Sequence, residues 1–171
     1  AGTIPPFQSI VESYDGTSWS ETADLNTARF QNMACGASNT SALTTAGEAP
    51  SVTGDTETFN GSAWTEVGNL NTARGNAAGF GIVTAAILGG NAPTQNTESW
   101  NGSSWTEVSN MNDKHGNTRG SGTITAGIIA TGENPPPMTV LAELWDGTSW
   151  AETANVNTGR TGAGASGVQT N

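Results

Sequence analysis

The stretch Glu143-Leu144-Trp145-Asp146-Gly147-Thr148-Ser149-Trp150-Ala151-Glu152 decides the fold, because its frame occurs four times in the chain. It recurs as Glu12-Ser13-Tyr14-Asp15-Gly16 with Trp19 and Glu21, as Glu57-Thr58-Phe59-Asn60-Gly61 with Trp64 and Glu66, and as Glu98-Ser99-Trp100-Asn101-Gly102 with Trp105 and Glu107. The tryptophans Trp19, Trp64, Trp105 and Trp150 are 45, 41 and 45 residues apart. A period of that length marks stacked supersecondary units. Ten residues beyond each tryptophan stands Arg29, Arg74, His115 or Arg160, preceded by Leu25-Asn26-Thr27, Leu70-Asn71-Thr72, Met111-Asn112-Asp113 or Val156-Asn157-Thr158. Sixteen to eighteen residues further on comes a small-residue pair ending in glycine, namely Ala46-Gly47, Gly89-Gly90 and Thr131-Gly132, with Ala1-Gly2 in the same phase. The units run at about 2–46, 47–89, 90–131 and 132–171 of a single repeat domain.

Composition supports thin, closely packed strands. A chain of 171 residues with 34% apolar content suffices for one domain, burying roughly 68–70% of its unfolded surface. Ala, Gly, Ser, Thr and Asn fill most of what the few aromatics leave, and Gly and β-branched Thr both disfavour helix. Almost no helix is expected. Five basic residues against 15 acidic give a net charge of −10, and Lys114 is the only lysine. No stretch offers the cationic surface that a nucleic-acid backbone requires, so no nucleic-acid partner is expected. No apolar run approaches the roughly 18 residues of a spanning helix. No signal peptide is read, although the start at Ala1 in mid-repeat fits missing upstream sequence.

Within a unit the pattern reads as strand, small-residue pair, loop, strand, tight turn, strand and an Asn-rich connection. Ala85-Ala86-Ile87-Leu88 is a short apolar run of the kind found in strands buried on both faces, with counterparts at Ser41–Thr45 and Gly127–Ala130. The Asp146-Gly147 pair favours a two-residue hairpin turn. That turn would set Glu12 opposite Trp19. A four-residue loop would instead pair Tyr14 with Trp19 and bring Glu12 opposite Glu21, a like-charge contact. The two-residue turn is therefore the expectation, with every unit's tryptophan in the interior.

Apolar residues ending in glycine, an aromatic followed by Asp or Asn, a tryptophan five residues on and an apolar-Asn-Thr-x-Arg segment together resemble the kelch repeat over essentially the whole chain. The resemblance implies an all-β fold, a kelch-like β-propeller of about four blades. Only one unit has two true glycines, and His115 replaces arginine in the third. The turn Ser13-Tyr14-Asp15-Gly16-Thr17-Ser18-Trp19 also resembles the Asp-box of sialidase-like propellers, with asparagine for aspartate in two units. Ala1-Gly2 aligns with Thr131-Gly132, and residues 167–171 align with 122–126, so one unit is divided between the termini. Two arrangements fit this. The ends close a ring, bringing residues 1–12 against 160–171, or the chain is a window from a longer array whose edge is covered by flanking repeats or other copies.

Chemistry should depart from the repeat, since a repeated residue is already explained by what every unit needs. The glutamates at 12, 57, 98 and 143, and at 21, 66, 107 and 152, are therefore expected to cap backbone donors or to pair with Arg29, Arg74 and Arg160. A sialidase-like site needs a tyrosine nucleophile, and Tyr14 occupies a repeat position. A galactose-oxidase-like copper site needs several tyrosine and histidine ligands, and the chain has one of each. No zinc spacing, P-loop or dinucleotide fingerprint is present. Lone Cys35 cannot form an internal disulfide and reads as a small buried residue. The expectation is a non-enzyme without cofactor or catalytic metal.

Function is then expected in the loops that break the repeat. The candidate ligand-binding residues there are Gln8, Asp55, Asn91, Thr94, Gln95, Lys114, His115 and Asn134. Near-identical, lysine-poor tandem units resemble the kelch-like repeat proteins of environmental phages and bacteria. That resemblance implies an extracellular structural or adhesive module, in a virion fibre or at a cell surface, whose partners are proteins, surface glycans or further copies of itself. The alternative is an intracellular kelch-type protein-interaction domain.

Overall fold

The computed structural model describes residues 7–91, 94–133 and 138–167. Within them the chain is all-β and without helix, so none is long and apolar enough to cross a membrane. A two-stranded sheet is formed by β1 (Glu12–Tyr14) and β2 (Trp19–Glu21). Three four-stranded sheets follow: β3 (Met33–Ser38), β4 (Ser41–Thr45), β5 (Thr56–Phe59) and β6 (Trp64–Val67); β7 (Ala78–Ile82), β8 (Ala85–Gly89), β9 (Thr97–Trp100) and β10 (Trp105–Val108); and β11 (Gly120–Thr123), β12 (Ala126–Ala130), β13 (Ala142–Trp145) and β14 (Trp150–Glu152). Every sheet is an antiparallel meander, and the first strands β3, β7 and β11 lie side by side. The result is a propeller-like arc of blades. Each complete blade takes its outer hairpin from one sequence unit and its inner hairpin from the unit before.

The hairpin register departs from expectation. Tyr14 pairs with Trp19 and Glu12 with Glu21, and the same four-residue loop recurs as Phe59↔Trp64, Trp100↔Trp105 and Trp145↔Trp150. Two forces favour it over the two-residue turn. The tilted aromatic pairs have centroids 5.1–5.4 Å apart, close enough to add to plain area burial. The first loop residue also closes the turn with its own side chain: Asp146 Oδ1 accepts from the N–H groups of Thr148 (2.7 Å) and Ser149 (2.8 Å). Asp15, Asn60 and Asn101 do the same. Only an oxygen acceptor is needed, so Asp and Asn interchange among units. Gly147 sits at φ 100°, a conformation that side chains disfavour.

The blades pack through these aromatics. Trp105 is 5% exposed and joins Met33, Leu43 and Leu88 in one core cluster, while its Nε1–H reaches back to Thr56 Oγ1 of the preceding blade at 3.0 Å. Trp150 repeats the arrangement one blade later, against Phe80 and Ile87, donating to Thr97 Oγ1 at 3.1 Å. Tryptophan burial is not uniform, contrary to expectation. Trp64 is half-buried and Trp19 is 66% exposed, because no blade within the described residues lies against β1 and β2 on their outer side. The inner strands approach so closely that a Cβ at Gly127 would fall within the ring of Phe80.

No strand pairing joins residues 7–12 to residues 160–167. Residues 163–165 instead line one groove with Thr118, Ile128 and Ala130 of the last blade, and Ser121 Oγ donates to the Gly167 carbonyl. Residues 1–6 and 168–171 are outside the described residues.

Replacing Trp105 by Ala should destabilise the fold by about 3–5 kcal/mol, the usual loss for a buried large aromatic. Gly127→Ala should cost about 1–3 kcal/mol by overpacking against Phe80. Denaturant melts of the two variants check both, and a change below about 1 kcal/mol for Trp105→Ala would show that this residue is not core.

Candidate functional site

The repeated polar residues converge on buried clusters at the blade junctions. Glu57 is fully buried on β5. Its Oε2 accepts from the Asn26 backbone N–H at 2.8 Å and from Asn26 Nδ2 at 2.9 Å, its Oε1 accepts from Thr27 N–H at 3.3 Å, and Arg29 Nη2 lies 2.5 Å from Oε1. Asn26 Nδ2 also donates to the Trp64 carbonyl at 3.1 Å. The connection leaving one blade is thus fastened to the outer hairpin of the next. Asn71, Thr72 and Arg74 hold Glu98 in the same way, with Arg74 Nη2 3.1 Å from Oε1. Asn112 and Asp113 hold Glu143, with His115 in the place of arginine. The expected pairing of repeat glutamates with repeat cations is observed at Arg29 and Arg74, and His115 takes the cation position for Glu143.

These clusters also answer the like-charge objection to the register. Glu57, Glu98 and Glu143 turn inward, whereas Glu66, Glu107 and Glu152 opposite them remain in water. Burial lowers the pKa of Arg74, opposed by the charge of Glu98 beside it and that of Glu107.

The third junction is chemically different because its cation can titrate. His115 is fully buried, with Nδ1 2.6 Å from the Thr131 carbonyl oxygen and Nε2 3.3 Å from Glu143 Oε1. Burial alone would lower its pKa, but the Glu143 carboxylate and the Thr131 carbonyl, both acceptors, favour the doubly protonated ring and the net direction is upward. Burial likewise pushes Glu143 up, and the donors from His115, Asn112 and Asp113 outweigh it, leaving the carboxyl below its ordinary value.

A second repeated feature was missed in the sequence. Gln31, Asn76, Asn117 and Gly162 stand 45, 41 and 45 residues apart, and all four have left-handed backbone, with φ between 52° and 64°. Each later residue donates its N–H to the carbonyl of the one before, Asn76 to Gln31 at 3.0 Å, Asn117 to Asn76 at 2.9 Å and Gly162 to Asn117 at 2.8 Å. This ladder ties successive connections directly together. Its readable signal was the period, combined with residue types that tolerate positive φ.

The candidate ligand residues fall on one face of the arc, blade by blade, where the loops between second and third strands meet the connections between blades. Asp55 accepts from Asn69 Nδ2 at 3.0 Å, and its carbonyl receives Arg29 Nη1 at 2.8 Å. Thr94 closes a short loop on the Asn91 carbonyl, and Gln95 Nε2 donates to the Asn112 carbonyl at 2.6 Å. Gln8 is exposed and bridges to Arg29 through the backbone. Lys114 lies beside these loops, its N–H held by Asp113 Oδ1. His115 does not belong with them, because it is sealed inside the third junction. Asn134 lies outside the described residues, as do Pro5, Pro6, Ala92, Pro93 and residues 135–137.

Burial pushes the Cys35 thiol up to about 12, so it stays protonated at neutral pH. Among the described residues no group of three or more His, Cys, Asp or Glu side chains is placed to hold a metal ion.

No family model and no curated protein matches the chain. Solved structures do, among them one titled "Structure of YjhT", with 11% sequence identity and a TM-score of 0.66. The match covers 85% of this chain and 52% of that one, so the chain spans about half the length of that protein. At this identity the likeness concerns the fold.

The third junction makes stability depend on pH. A raised histidine pKa contributes stability that is complete below the ordinary value of 6.5 and is lost as pH rises through the folded value. The lowered Glu143 contributes above 4.5 and loses its contribution as pH falls through its folded value. The junction is therefore strongest between about 4.5 and 6.5. Denaturation midpoints should fall between pH 6.5 and 9.0, before the ordinary titration of a cysteine, by about 1.4 kcal/mol for each unit of His115 shift. His115→Arg should flatten that slope; an unchanged slope would remove His115 as its cause.

Proposed function

We propose that the chain is a non-enzymatic recognition or structural module, a kelch-like propeller segment of an extracellular assembly such as a virion fibre or cell-surface protein. One observation carries the reading. The residues common to all units are consumed in junctions and turns, while loop residues that differ between units line one face of the blades. Gln8, Asp55, Asn91, Thr94, Gln95 and Lys114 present amides, a hydroxyl, one carboxylate and one ammonium there. Such groups suit the hydroxyls of a neutral glycan or a polar protein surface, and the net charge of −10 repels polyanions.

Immobilised chain screened against neutral and acidic glycans and against intact bacterial surfaces tests this. Neutral glycans or surface proteins should be retained, and Gln95→Ala or Lys114→Ala should weaken retention by about tenfold, roughly 1.4 kcal/mol, without changing the melting temperature. Turnover of a sialoside or galactoside by the purified chain would overturn the non-enzymatic reading.

A further inference from the structure

The two ends of the arc carry unfilled halves of the same junction that joins the blades internally. At one end Glu12 occupies the position of Glu57, Glu98 and Glu143, yet it is exposed. Beside it the Tyr14–Trp19 pair is 46% and 66% exposed, whereas Trp100, Trp105, Trp145 and Trp150 are at most 6% exposed in the same roles. At the other end Asn157-Thr158-Gly159-Arg160 repeats the segment that grips a glutamate elsewhere, and it too is open. Arg160 Nε donates to the Thr158 carbonyl at 3.3 Å, and no carboxylate reaches its guanidinium among the described residues.

The apolar surfaces match as well. Leu43 and Ile87 are the residues on which the aromatic pair of the following blade rests. The strand register places Ile128 at the same position in the last blade, where it is only partly covered. Ala142 stands where Thr56 and Thr97 receive a tryptophan N–H, so Trp19 would find no hydroxyl there. The chain already tolerates that arrangement, since Trp64, its Nε1 unpaired, lines one groove with Val11, which holds the same place just before β1.

We propose that a second copy of this chain docks head to tail, its Tyr14–Trp19 pair seated on Ile128 and its Glu12 held by Asn157, Thr158 and Arg160. Charge and shape both follow an interface the chain builds internally, and this docking stands independently of any ligand on the loop face. A contact between different patches closes into a ring or propagates, according to the rotation it imposes.

Sedimentation of the 171-residue chain over a range of concentrations should show mass above that of the monomer, with a blue shift of tryptophan emission that is lost in Trp19→Phe. Glu12→Arg and Arg160→Glu, both at exposed positions, should each remain folded and associate at least about tenfold more weakly, as expected when one member of a paired charge is reversed. Mixing the two variants should restore a one-to-one complex, because one retains an intact tail and the other an intact head. A monomer at every soluble concentration would overturn the proposal. So would a monomer with Trp19 shielded, which would mean that a blade of the same chain covers it, or variants that fail to complement.

Discussion

The architecture depends on a carboxylate buried where two blades meet. Removing an ion from water costs several kcal/mol, and only good geometry with several donors offsets it. Glu57, Glu98 and Glu143 are each fully buried, so each demands an Asn side chain, two backbone N–H groups and a cation at fixed positions. The connection between blades must therefore follow one path, and the outer hairpin that carries the glutamate must stand at one distance from it. The tryptophan facing each glutamate hairpin then falls onto the preceding blade. Apolar packing supplies the bulk of the stabilisation, and the carboxylate selects which packing occurs.

Much of the frame was legible because internal repetition reveals what each unit needs. Four aromatic pairs, four cation positions and the small-residue pairs identified strands, junctions and the absence of helix. The turn was misread for a physical reason. Pairwise rules set Glu12 against Glu21 as a repulsion, but in each complete blade one partner turns inward to a cation while the other stays in water. A cation supplied from a segment some 30 residues distant is invisible to a rule about facing residues. The preference of Asp-Gly for two-residue turns also lost to the Asp or Asn oxygen, which closes a longer loop by accepting two backbone N–H groups.

The site was less legible. Loop residues such as Asp55 and Gln95 were identified by departure from the repeat, and the fold sets each on the same face of its own blade. Departure alone did not separate His115 from its neighbours. Its spacing from Trp105 equals that of each arginine from its tryptophan, and that register was the better guide: it places the ring in the junction. The ladder through Gln31, Asn76, Asn117 and Gly162 went unseen because its signal is backbone conformation, carried by four residues with three different side chains.

The junctions are equivalent in geometry and unequal in chemistry, which makes the arc non-uniform in strength. Arg29 satisfies Glu57 while donating also to the Thr27, Ala46 and Asp55 carbonyls. Arg74 meets Glu98 without those carbonyl partners, so its guanidinium carries more of the desolvation penalty. His115 must gain a proton before it can act as a cation at all. In an array whose units contact only their neighbours, stability is close to a sum of unit and junction contributions. Local opening then begins at the junction with the smallest contribution. Above the folded pKa of His115 the junction between the second and third complete blades weakens, because Glu143 keeps its backbone donors and loses its counter-charge.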